Sequence, residues 1–119
     1  MASQKQSLGR WGENIAAQYL ENLGYAILER NIRSEFGEID LIARQGSVLV
    51  FVEVKARSSN DFGHPEEAVT ESKQQHLLYA SQNYLQLHPE LDGDCRVDVV
   101  AIRRLKNSPP EIVHFENAL

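Results

Sequence analysis

A single cysteine, Cys95, leaves the chain without any internal disulfide, which suits a reducing compartment. Long apolar runs are missing too. The longest, Val48 to Val52, is far short of the roughly 20 residues that span a bilayer. The opening stretch MASQKQSLGRW has no apolar core of the secretory kind. The expectation is a cytoplasmic protein with no membrane partner. Positive charge is also scarce: 12 Lys and Arg stand against 17 Asp and Glu, a net charge of -5. That balance counts against generic, charge-driven binding to phosphates. His64, His76, His88 and His114 show no metal-ligand spacing. The chain has no glycine-rich phosphate loop, no serine-nucleophile elbow and no paired cysteines.

What is present builds one domain. The 119 residues suffice for one compact unit, and the 42% hydrophobic content supports a core. Met1 to Leu8 reads as a loose tail, followed by a domain over 9–119. Ile15, Tyr19 and Leu23 recur at helical spacing before Gly24, which predicts a helix from about Arg10 to Leu23. Tyr25–Ile32, Glu38–Arg44 and Ser47–Ala56 read as strands, and Ser58–Pro65 as a loop. A second helix runs from about Glu66 or Glu71 to Leu87, with Thr70 as a candidate N-cap. Cys95–Ile102 reads as a buried strand and Glu111–Glu116 as an edge strand. The order αβββαβ, with an added strand, implies an α/β domain with a mixed sheet flanked by helices.

The stretch GEIDLIARQGSVLVFVEVKAR carries the chemistry. Side chains alternate faces along a strand, so Glu53 and Lys55 share a face with Phe51, away from Val52 and Val54. With a two-residue loop at Gln45-Gly46, Arg44 faces Ser47 and Asp40 falls opposite Phe51. Asp40 then lies on the Glu53 side, diagonal to it at roughly 7 Å. Two readings stay open at this point. The charges could lie on a solvated sheet face. Alternatively, two carboxylates inside otherwise apolar strands need a partner. A hard cation such as Mg²⁺ or Mn²⁺ would be one, with Lys55 placed to hold or deprotonate a water. That set of groups suits phosphodiester hydrolysis.

Gly37-Glu38-Ile39-Asp40-Leu41-Ile42-Ala43 and Val50-Phe51-Val52-Glu53-Val54-Lys55 resemble the bacterial YraN-like family, as do Gly12-Glu13 and Arg96-Val97-Asp98-Val99-Val100. The likeness runs from about Gly9 to Ile102. It implies the restriction-endonuclease-like fold of the PD-(D/E)xK nucleases, near the archaeal Holliday-junction resolvases. By that resemblance Asp40 and Glu53 are metal ligands, Lys55 is the catalytic lysine, and Glu13 is a helix-borne acidic residue of the catalytic set. No proline precedes Asp40; Ile39 stands there. Lys73 and Gln74 fall where resolvase-like folds place a polar residue facing the site, with a solvated helix face as the competing reading. Arg10, Arg30, Arg33, Arg57 and Lys73 are candidates for a basic rim, with Arg57, Lys73 and Gln74 as substrate-binding residues. Trp11 reads as core rather than as a base-stacking ring, and Asp98 as the ion-pair partner of Arg96. The resemblance implies a metal-dependent endonuclease acting on DNA, on branched or damaged structures, and a homodimer. The competing class is a non-catalytic adaptor, binding nucleic acid or a protein partner, on a nuclease fold.

Overall fold

The computed structural model describes residues 3–58, 70–91 and 93–119. The chain runs α1 (Gln4–Asn22), β1 (Ala26–Ser34), β2 (Gly37–Gln45), β3 (Val48–Ser58), α2 (Glu71–Leu87), β4 (Cys95–Arg104) and β5 (Glu111–Phe115). The five strands form one sheet in the order β1-β2-β3-β4-β5. All neighbours are antiparallel except β3 and β4, which are parallel and joined through α2. This is the expected α/β core, compatible with the restriction-endonuclease-like fold, with β5 added at one edge.

Two expectations need correction. The first helix starts at Gln4, not near Arg10, and so takes in residues expected to form a loose tail. Its start is a capping box: the Ser3 side chain accepts from the Gln6 N–H, and the Gln6 side chain accepts from the Ser3 N–H. Met1 and Ala2 lie outside the described residues, as do positions 59–65 of the expected loop. The second correction is the hairpin register. Arg44 faces Leu49 and Ile42 faces Phe51, so each partner is displaced by two residues from the expected pairing. The strand period is also two, so no side chain changes face.

One core cluster lies under α1, where Ala16, Ala17 and Leu20 meet Leu41, Val50, Val52 and Val100. The other lies under α2, where Leu77, Ala80 and Tyr84 meet Ile42, Phe51 and Val97. The sheet is therefore apolar on both faces, which explains the nearly continuous apolar runs of β2 and β3. Trp11 is partly buried and packs against the α1 cluster, and the Arg104 guanidinium lies 4.4 Å from its ring centroid.

Asp98 is fully buried and fully used. Arg96 Nε donates to it at 3.0 Å, His114 Nε2 at 2.8 Å and the Asn117 N–H at 2.9 Å. Arg96 Nη2 also donates to Tyr25 Oη and Gln45 Oε1, which ties β4 to β2 and to the residue that precedes β1. The expected Arg96–Asp98 pair is thus part of a satisfied buried network, with a scaffold role.

Gly12 fixes how closely α1 approaches the sheet. A Cβ placed there would stand 2.6 Å from the Cβ of Ala56 on β3. Gly12→Ala gains up to about 1 kcal/mol of helix propensity but overpacks this contact by about 1–3 kcal/mol. The expected net result is a loss of about 1–2 kcal/mol. A thermal melt at or above the wild-type temperature would refute the close approach.

Candidate metal centre

The site lies where the sheet forks. Gly37 to Ile39 of β2 stay paired with β1, while Glu53 to Ser58 of β3 stay paired with β4. The β2–β3 ladder runs only from the turn to Leu41–Val52. Beyond it the Val54 N–H donates to Asp40 Oδ2 at 2.8 Å, so a side chain takes the place of a ladder bond. A backbone donor left by the parting strands is thereby satisfied.

The fork opens into a cleft of about 500 Å³. α1 contributes Gly9 and Glu13, and β2 contributes Gly37, Glu38 and Asp40. Glu53, Val54 and Lys55 come from β3, and Lys73, His76 and Leu77 from α2. Glu13, Asp40, Glu53, Lys55 and Lys73, singled out in the sequence, are thus brought together. Arg57 lines a neighbouring depression shared with Lys55 and Arg103. Gln74 is half-buried and does not line the cleft among the described residues. Arg10 and Arg33 line a second hollow that shares Gly9, Glu13 and Glu38 with the cleft.

The electrostatics are those of crowded acids in a partly dry site. Burial pushes the Asp40 carboxyl up to about 8, reinforced by the charge of Glu53 and opposed by the Val54 N–H. Burial also raises Glu53, against the pull of the Lys73 ammonium and a hydrogen bond with Asp40. A hydrogen bond between two carboxyls requires a proton on one of them, so the metal-free pair holds one. Glu13 is raised by burial, tempered by a hydrogen bond with Asn31. Lys55 is lowered by burial first, then by the like charge of the adjacent Lys73.

Oxygens of Glu13, Glu38 and Asp40 all lie within 4.8 Å of one another. Three carboxylate oxygens this close, one from α1 and two from β2, form an all-oxygen donor set that fits Mg²⁺ or Mn²⁺. Glu53 stands beside this group, hydrogen-bonded to Asp40. Glu38 and His76 were not singled out as site residues in the sequence. Glu38 carried a usable signal, because it sits two residues before Asp40 and thus on the same face of β2. His76 carried none, since its place depends on how α2 docks.

Comparison with known proteins agrees with the hairpin and strand motifs. The model of Uncharacterised protein family UPF0102 matches residues 12–102. The chain belongs to this family. It is 48% identical over 119 residues to a UPF0102 protein of Syntrophotalea carbinolica, covering 99% of this chain and 95% of the relative. A UPF0102 protein of Geobacter metallireducens is 44% identical over 118 residues, covering 99% of this chain and 96% of the relative. One of Chlorobium chlorochromatii is 55% identical over 95 residues, covering 80% and 73%. The UPF0102 match spans every cleft residue except Gly9. Among the described residues no helix is long and apolar enough to cross a membrane.

Proposed function

We propose that this UPF0102 protein is a Mg²⁺- or Mn²⁺-dependent endonuclease that hydrolyses DNA phosphodiester bonds. The observation that carries the reading is the sheet fork, which gathers carboxylates and two lysines in one open cleft. A structural ion-pair network would cancel its charges. Here burial and the charge of Glu53 raise Asp40, while burial and the Lys73 charge lower Lys55. Such opposed perturbations in one cleft are typical of sites that act on a substrate.

Glu13, Glu38 and Asp40 would hold the ion, with Glu53 beside them. A bound ion supplies Lewis acidity at a phosphoryl oxygen and offsets the charge that grows there. Glu53 keeps Asp40 oriented and draws Lys73 into the cleft. Lys55 is the group to accept a proton from the attacking water, because burial and Lys73 bring its ammonium closer to releasing one. Water adds to phosphorus as Lys55 takes its proton, one P–O ester bond breaks, and the departing oxygen takes up a proton from solvent water. Lys73, on the cleft wall, faces the phosphate.

The deciding experiment incubates purified protein with single-stranded, duplex, flap and four-way DNA, in Mg²⁺ and in Mn²⁺. Cleavage of at least one form, abolished by EDTA, is the expected result. Tight binding to DNA with no cleavage in either metal would overturn it in favour of an adaptor on this fold.

A further inference from the structure

Two exposed aromatic rings stand at the rim of the cleft. Phe36, in the β1–β2 turn, is 39% exposed, and Tyr79, on α2, is 49% exposed. Their centroids are 6.2 Å apart with the planes inclined at 52°. Neither ring belongs to the described core clusters or to the residues packed against them. The turn is held in a defined shape: the Phe36 N–H donates to Ser34 Oγ, and that hydroxyl donates to the Gly37 carbonyl. Both rings are anchored through cleft residues. Phe36 precedes Gly37, and Tyr79 lies one helical turn after His76. Gly37 and His76 line the cleft, and a Cβ on Gly37 would lie 3.6 Å from the His76 Cβ.

We propose that Phe36 and Tyr79 form a stacking platform for an unpaired nucleobase next to the phosphate in the cleft, so that the substrate is DNA with a single-stranded segment. This deepens the hydrolase reading and rests on it. The rings are contiguous with the carboxylate centre on one side. The cleft also shares Gly9, Glu13 and Glu38 with the hollow bearing Arg10 and Arg33, whose charges suit the flanking phosphates. A strand crossing the cleft would lay its backbone over lysine and arginine while a base meets the rings. In a duplex each base face is covered by its neighbours, so only an unpaired base offers a free face to the rings. Stacking does not discriminate among the four bases, so the preference is for strand state and not for sequence.

The test is equilibrium binding by fluorescence anisotropy in EDTA, where nothing is cut. The probes are a labelled oligothymidine of about 12 nucleotides and a duplex of the same length. Phe36→Ala and Tyr79→Ala are each expected to weaken single-strand binding about 5- to 100-fold. Duplex binding should change little. Phe36→Trp and Tyr79→Phe should keep wild-type binding, which separates stacking from folding defects. Equal losses on both probes, or no loss on the single strand, would overturn the platform. So would a wild-type dimer that Phe36→Ala converts to monomer in sedimentation, because the rings would then be a contact between two copies. Cleavage by wild type with single-strand binding unaffected by the ring variants sinks the platform alone. Ring-dependent binding with no cleavage in Mg²⁺ or Mn²⁺ supports it and sinks the hydrolase reading alone.

Discussion

Glu53→Ala and Lys55→Ala are each expected to lose about 10²- to 10⁴-fold in DNA cleavage rate, the range for removing a positioned proton-transfer or charge-stabilising group. The two losses have different origins, and a second measurement separates them. Glu53 is hydrogen-bonded to Asp40, and Lys73 is the largest charge acting on it. Its removal frees Asp40 from a like charge and frees Lys73 from its anchor. The Lys55 side chain holds no oxygen that could ligate a cation. Lys55→Ala should therefore keep the thermal shift that Mg²⁺ produces while losing the chemistry. Lys55→Arg is not a conservative rescue. Its guanidinium does not release a proton near neutral pH, so it should restore charge without restoring rate. Wild-type cleavage rates in both alanine variants would place the activity elsewhere.

The hairpin was legible in the sequence because strand alternation depends only on parity. The pairing expected for Arg44 was wrong by two residues, yet Asp40, Glu53 and Lys55 still share a face. The fork was not legible. It arises because Glu53 to Ser58 pair in parallel with Val99 to Arg104, strands separated by α2 in the chain. No local pattern signals where β3 leaves β2 for that partner. The fork is also what brings Glu13 from α1 and Lys73 from α2 to Asp40, so the convergence needed tertiary information. The early start of α1 was a different kind of miss. Ser3 and Gln6 carry the capping-box spacing in plain view, but the residues between and just after them lack an apolar stripe, so capping and apolar periodicity point to different helix starts. For Asp98 the sequence supplied Arg96, its near neighbour, and not His114, which reaches it from β5.

The sharpest physical consequence concerns Asp40 and pH. Its carboxyl stands near 8 in the folded protein against an ordinary value of 3.8. The folded state therefore binds that proton more tightly than the unfolded chain. Between those pH values the folded metal-free protein holds the proton and the unfolded chain does not. This contribution to stability is fully present below about pH 4 and is lost as pH rises through about 8. Asp40→Asn removes the titrating group while its amide oxygen can still accept the Val54 N–H. The variant should match or exceed the wild-type melting temperature near pH 8 and lie on a flatter pH profile. The metal dependence runs the opposite way. A cation must displace the proton, so its affinity should fall about tenfold for each pH unit below about 8, or about 100-fold by pH 6. For millimolar affinity at pH 8.5, 10 mM Mg²⁺ stabilises by about 1.4 kcal/mol. That corresponds to a rise in Tm of about 4–6 °C, shrinking to nothing measurable by pH 6. Asp40→Asn should lose most of the shift at either pH. If Asp40 were instead a buried group whose charge the scaffold needs, Asp40→Asn would cost about 1–3 kcal/mol and the wild type would ignore the metal. Four melting curves at each pH, with EDTA and with Mg²⁺ for both proteins, distinguish the two, and a destabilised variant beside a metal-blind wild type would remove the cation from this cleft.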